Sequence, residues 1–302
     1  MAPRPDPPDS EDARALEEAA AQLEAHPDYR VLRRLPDDPR SDGHGTPGRY
    51  GLFVDVETTG FDASREAVIE LAMVLFGYDA QGRVTGIEAR FDQLEDPGRP
   101  IPSEITELTG ITDEDVRGAR IDDGDVADLV GRAHLVIAHN APFDRAFLER
   151  RFPVFAQQPW ACSAVDVNWR GEGLESRKLE YLAFRFGIFY EAHRAVTDCV
   201  AGVHVLSREL PRSGVPALSR LLASARRKDV RFDALGSPFE TKDALKARGY
   251  RWNAAERYWW KEVPEEEADA ERSWLSANVY DGRSRARESV VTAYERYATR
   301  PA

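Results

Sequence analysis

The chain has 302 residues, a formal net charge of −12, a mean hydropathy of −0.52 and only two cysteines, Cys162 and Cys199. That length exceeds one small domain, no apolar run is long enough to span a bilayer, and the opening Met1 to Pro8 lacks the apolar core of a secretion signal. Two cysteines make no disulfide framework, so a reducing cytoplasm is the expected location and no membrane partner is expected.

Residues 1–12 are rich in Pro and Asp and predict disorder. Ala13 to Ala25 predicts a helix, Tyr29 to Leu35 a short extended segment, and Arg40 to Gly48 a polar loop. Leu52 to Glu57, Val68 to Tyr78 and Val84 to Phe91 predict three strands at hairpin spacing, an antiparallel meander. Ser103 to Leu108 and Asp122 to Arg132 predict helices, His134 to His139 a buried strand, and Pro142 to Arg151, Leu179 to Phe186 and Ala195 to Leu210 further helices. Strands first, then strands alternating with helices, imply an α/β fold with a mixed sheet and helices packed on it. Pro211 to Pro216 reads as a break. A small α+β module is expected at 230–280: a helix ended by Gly249, then a hairpin of Tyr250 to Trp252 and Tyr258 to Lys261. Residues 281–302 read as a charged helix or tail.

The chemistry lies in three short stretches. Asp55 and Glu57 are two apart on a strand and share one face, while Leu52, Val54 and Val56 face a core. Two carboxylates side by side repel, and a divalent cation is the usual remedy. Asp144 follows the buried strand in the first turn of a helix opened by Pro142, where the positive helix end favours a carboxylate. Asp198 opens another helix whose remaining residues are apolar, and His193 lies in the loop before it. Taken singly, each of these also reads as a solvated acid, a helix-capping charge or a surface histidine.

Together, Val54-Asp55-Val56-Glu57-Thr58-Thr59-Gly60, His139-Asn140-Ala141-Pro142-Phe143-Asp144 and His193-Arg194-Ala195-Val196-Thr197-Asp198 resemble the DnaQ-like 3′–5′ exonucleases, in the branch whose fifth residue is histidine. The segment Ile101 to Thr112 resembles the stretch after the third strand in that family, and the resemblance covers Tyr50 to Leu210. It implies an RNase H-like mixed five-stranded sheet with flanking helices, and a metal-dependent exonuclease that releases nucleoside monophosphates from the 3′ end of DNA. Asp55, Glu57, Asp144 and Asp198 would hold two Mg²⁺ (or Mn²⁺), with His193 taking the proton from the attacking water. Thr58 and Gly60 would contact the terminal nucleotide, and Asn140 and Phe143 would line the same groove. The expected partner is a nucleic acid with a 3′ end, single-stranded DNA in the first instance, with a polymerase or repair protein as a candidate associate. Two alternatives stay open from the residues: an exoribonuclease, and a non-catalytic module that binds nucleic-acid ends.

The acidic total does not oppose such a partner, because the charge is unevenly spread. From Ala217 onward 17 Lys and Arg stand against 14 Asp and Glu, whereas the residues before it hold 24 against 39. The expected division is an N-terminal tail with helix and extended segment at 1–48, an exonuclease domain at 49–212, a linker at 213–229, and the aromatic-rich module at 230–280. A chain ended near Arg212 is then expected to fold and to cleave short strands.

Overall fold

Helix α1 (Ser10–Glu24) and the two-residue strand β1 (Arg33–Arg34) lead into the sheet in the computed structural model, which describes residues 10–39, 46–192 and 194–298. The expected disordered segment through residue 9, part of the polar loop at 40–45 and His193 lie outside the described residues. The helix begins at Ser10, within the stretch expected to be disordered.

The apolar runs at hairpin spacing form β2 (Arg49–Thr58), β3 (Val68–Tyr78) and β4 (Val84–Leu94), an antiparallel meander. Then come α2 (Ser103–Thr109), α3 (Asp113–Val116), α4 (Asp123–Arg132), β5 (Leu135–Ala138), α5 (Ala141–Arg151), β6 (Trp160–Cys162), α6 (Leu179–Arg185), β7 (Ile188–Phe189) and α7 (Ala195–Ser207). Strands β5 and β6 join β2 in parallel, giving a mixed five-stranded sheet of order β4-β3-β2-β5-β6. This is the RNase H-like architecture expected. Among the described residues no helix is long and apolar enough to cross a membrane.

The two-residue period of β2 divides the core between the faces of the sheet. Leu52, Val54 and Val56 pack with Val126 and Val130 of α4 and Phe147 and Leu148 of α5. Phe53 packs on the other face with Cys199 and Val203 of α7 and Leu182 of α6. A side chain at Gly202 would run into the Phe53 ring, so this glycine lets α7 sit directly on β2.

The remaining elements are α8 (Ala217–Arg226), β8 (Asp229–Ala234), α9 (Lys242–Ala247), β9 (Arg251–Asn253), β10 (Tyr258–Pro264), α10 (Ala268–Asn278) and β11 (Arg287–Val291). The four strands form a separate antiparallel sheet of order β11-β8-β10-β9. One of its faces packs Val230, Phe232, Trp259 and Val263 against Leu245 of α9 and Leu275 of α10.

Two expectations fail here. The stretch 213–229 is not a linker: Leu218 and Leu221 of α8 are fully buried in the core beneath α7, because the residues after the proline break place apolar side chains at helical spacing. Residues 281–302 are not simply a charged helix or tail, since β11 pairs with β8 along its length.

The chain then returns to the large domain. The Ala293 carbonyl accepts from Trp160 N at 2.8 Å, extending the edge strand β6. The Arg145 guanidinium, 1% exposed, donates to the carbonyls of Arg296 (2.6 Å) and Tyr294 (2.7 Å). Arg296 in turn donates to Asp229 at 2.9 Å and to the carbonyls of Ser224 and Arg227. The small sheet is thus tied to the large domain at both ends.

A chain ended near Arg212 would lose both α8 and this returning strap, so it should unfold at a much lower temperature than the full chain. Arg145→Met, which strands two buried carbonyls and Glu149, should cost roughly 3 kcal/mol in urea unfolding. Stability equal to that of the full chain in either case would contradict this account.

Candidate active site

The parallel pairing of β2 with β5 ends at Phe53 and Ile137, so the last part of β2 leaves β5 while staying paired to β3. Helix α5 starts in that gap. Asp144, in its first turn and 3% exposed, accepts a 3.3 Å hydrogen bond from the Val56 N–H that β5 no longer reaches. Asp55 and Glu57 project from the opposite face of the same stretch, both partly buried. Gly202 and Asp198 are one helical turn apart on α7, as Phe53 and Asp55 are two apart on β2. Seating Gly202 on Phe53 therefore brings Asp198 toward Asp55.

The carboxylates act strongly on one another. Burial, then the charges of Asp144, Asp198, Glu57 and Glu70, raise the Asp55 carboxyl well above its ordinary range. Burial, then Glu70, Asp198 and Asp144, push Glu57 up to about 7. Burial alone accounts for the rise of Asp144 to about 7, against the backbone N–H groups of Asp144 itself and of Val56. Among the described residues no three acid, imidazole or thiol side chains are grouped so that they could hold a metal ion as they stand. The donor set nevertheless suits one: all-oxygen, anionic, and short of positive charge, as hard divalent cations require.

Of the four acids expected to act together, Glu57, Asp144 and Asp198 lie near enough to Asp55 for their charges to act on it. Thr58 is buried at the end of β2, and its hydroxyl donates to the Gly60 carbonyl at 2.7 Å, closing the turn beside the acids. Asn140 is exposed at the start of α5 and its side chain makes no cap. Phe143 packs on Phe147 with ring centroids 4.9 Å apart. His193 lies outside the described residues. His139 bridges Ser163 Oγ (2.8 Å) and the Arg177 carbonyl (2.7 Å), and burial lowers it to about 4, so it stays neutral.

Three further residues at the site are not evident from the sequence pattern. Glu70, 3% exposed, faces Glu57 directly across the β2–β3 ladder, beside the bulge between Glu57 and Thr58. It accepts from Ala195 N at 3.4 Å, and burial followed by Asp92 raises it to about 7. A lone acid inside the apolar run Val68 to Leu75 is the signal for it. Tyr190 donates its hydroxyl to Asp198 Oδ1 at 3.0 Å, with no local pattern to announce it. Phe61, 84% exposed, lies 6.4 Å from Phe143 at the rim.

The sequence profile of the RNase T exonuclease family matches residues 52–206, about half of the chain. The chain belongs to this exonuclease family. As a member it is a phosphodiester hydrolase, and the profile takes in all four acids together with His193. The chain is 32% identical over 154 residues to the DNA polymerase III subunit epsilon of Treponema pallidum, covering 48% of this chain and 68% of that protein. It is also 32% identical over 168 residues to the PolC-type DNA polymerase III of Halalkalibacterium halodurans, covering 52% of this chain and 11% of that one. The chain thus spans about a tenth of the PolC-type relative and two thirds of the epsilon subunit. Among solved structures, exonuclease X in complex with 5′ overhanging duplex DNA is 22% identical with a TM-score of 0.44, covering 58% of this chain and 99% of that one. E. coli exonuclease I in complex with an oligonucleotide is 16% identical with a TM-score of 0.46, covering 74% and 67%.

Glu57 titrates near 4.5 when unfolded and near 7 when folded. Protonation therefore favours the metal-free fold: the contribution is complete below about 4.5 and is lost as the pH rises to about 7. In EDTA the stability of the wild type relative to Glu57→Gln should fall across that window and level off above it. Mg²⁺ should raise the melting temperature more at pH about 8 than at about 5. A pH-independent difference would show that Glu57 is not held among the other acids.

Proposed function

We propose that this exonuclease removes nucleotides one at a time from the 3′ end of DNA, releasing nucleoside monophosphates. The observation that carries the reading is the convergence of Asp55, Glu57, Asp144 and Asp198 at the end of β2, within the segment matched by the family. These four would hold two Mg²⁺ or Mn²⁺ ions, which when bound supply positive charge opposite the reacting phosphate and its leaving oxygen. His193, just ahead of α7, would take the proton from the attacking water; an imidazole of ordinary pKa, about 6.5, is suited to that near neutrality.

Tyr190 restrains Asp198, and Glu70 holds the first N–H of α7, so both would position the acid that this helix carries. The turn at Thr58 and Gly60, with Asn140, Phe143 and the exposed Phe61 ring, would receive the terminal nucleotide. DNA as the polymer is supported by relatives that are parts of DNA polymerases, which also makes a polymerase a candidate associate. The free, buried thiols of Cys162 and Cys199 suit the cytoplasm.

The test uses DNA and RNA strands labelled at either end. A 3′ label should leave at once as a mononucleotide, and a 5′ label should give a ladder that shortens by single steps, faster on DNA. EDTA should abolish both. Asp55→Ala or Asp144→Ala should lower kcat by about a thousandfold, several kcal/mol of transition-state stabilisation. Early release of the 5′ label, or full activity in EDTA, would refute the proposal. His193→Ala should slow turnover about 10²- to 10⁴-fold while calorimetric Mn²⁺ affinity stays close to that of the wild type. Affinity falling as far as in Asp198→Ala would make His193 a ligand instead of the base.

A further inference from the structure

A cleft of about 930 Å³ is lined by residues of both the large domain and the C-terminal sheet. One wall includes Asn140, just before α5, and Pro142 in its first turn, two residues ahead of Asp144. The opposite wall is the face of the small sheet that its hydrophobic core does not use. Trp259 turns into that core, and Trp260, next along β10, turns toward the cleft.

The cations on these walls divide into two kinds. Arg231 and Arg296 are neutralised within the fold: Arg231 by Asp233 at 2.7 Å and Arg296 by Asp229 at 2.9 Å, both 6% exposed or less. Arg177 and Lys178 on the large domain and Arg251 on β9 are exposed and make no ion pair among the described residues. Glu262, 3.6 Å from Arg231, and Glu295, which accepts from Thr292 N, also line the cleft, but the three exposed cations face one another across it, in a chain of net charge −12, and form a local trap for anions. Trp260 adds a second feature. Its half-buried indole lies under the guanidinium groups of Arg231 (4.1 Å) and Arg251 (5.4 Å), an aromatic and arginine surface of the kind on which bases stack.

We infer that this cleft holds the unpaired nucleotides that precede the 3′ end. The sugar-phosphate chain runs between Arg177, Lys178 and Arg251, and a base rests against Trp260. The inference rests on the exonuclease reading above and narrows its substrate to a single-stranded nucleic acid. The wall that carries Arg251 and Trp260 lies beyond the segment that the family profile matches. The ligand of such a site combines a repeating anion with a flat ring, which an acidic peptide lacks.

The test measures binding to the full chain in EDTA by fluorescence anisotropy, with oligothymidylate and oligouridylate of about three and about twelve nucleotides. The wild type should gain affinity with length. The Lys178→Ala/Arg251→Ala double variant, both sites exposed, should lose most of that gain, about tenfold or more. Its slope of log affinity against log salt should flatten by about 0.7 for each phosphate contact removed. Trp260→Leu, checked for an unchanged melting temperature, should lose part of the length gain while keeping the salt slope. If the gain and the slope survive the double variant, or if oligoglutamate displaces the long strand as well as a nucleic acid does, the inference is overturned. Hydrolysis of labelled 3′ ends by the same wild-type preparation separates the two readings. Normal hydrolysis with an unaltered length gain in the variant would sink the cleft alone. A gain lost in the variant, without any 3′-end hydrolysis, would sink the exonuclease polarity and leave the strand site standing.

Discussion

Burial of several carboxylates near one another is the constraint around which this site is organised. Burial, with the charges of Asp144, Asp198 and Glu70 added to it, raises the proton affinity of Asp55 and Glu57; burial does the same for Asp144 and, with Asp92, for Glu70. A fold does not collect such groups by default, because each buried anion costs free energy unless it is paired. Here the cost is met by geometry fixed elsewhere. The divergence of β2 from β5 leaves the Val56 N–H for Asp144. The bulge beside Glu57 re-aims the end of β2. Gly202 permits the contact between α7 and β2 that carries Asp198 inward. These devices use ordinary backbone pairing and packing to hold charges that would otherwise separate.

The C-terminal third extends this logic from the reacting atoms to the polymer. Its sheet is fastened by α8 on one side and by the Arg145 and Arg296 contacts on the other, so it offers a fixed wall. The buried Arg145 and Arg296 serve that fastening. Net charge is therefore a poor guide here. The acidic front of the chain holds the site carboxylates and also lends Arg177 and Lys178 to the cleft, opposite Arg251 from the more basic end.

Much of the site is legible in the sequence because its elements are local. Asp55 and Glu57 obey the two-residue period of a strand, and Asp144 and Asp198 occupy first turns marked by Pro142 and by the apolar run that begins at Ala195. The meander is legible from hairpin spacing. Contributions that depend on tertiary neighbours are not. Glu70 is hidden in an apolar strand and becomes informative only when register sets it across from Glu57. Tyr190 reaches Asp198 through the fold of a loop. Helix α8 reads as a linker from sequence because the break at Pro211 to Pro216 and the basic Arg226 to Lys228 flank only three turns of apolar spacing, whose partner core lies elsewhere in the chain. Strand β11, charged and mostly exposed, lacks the alternation of a half-buried strand and exists because β8 offers it an edge.

The central claim is that the acids at the end of β2 keep protons near neutrality which a divalent cation would displace. Calorimetric titration with Mn²⁺ at pH about 7, repeated in buffers of different ionisation enthalpy, measures that displacement directly. The account predicts a heat that varies with the buffer and corresponds to the release of at least about one proton, a release reduced in Asp55→Asn. Binding whose heat is the same in every buffer would contradict it.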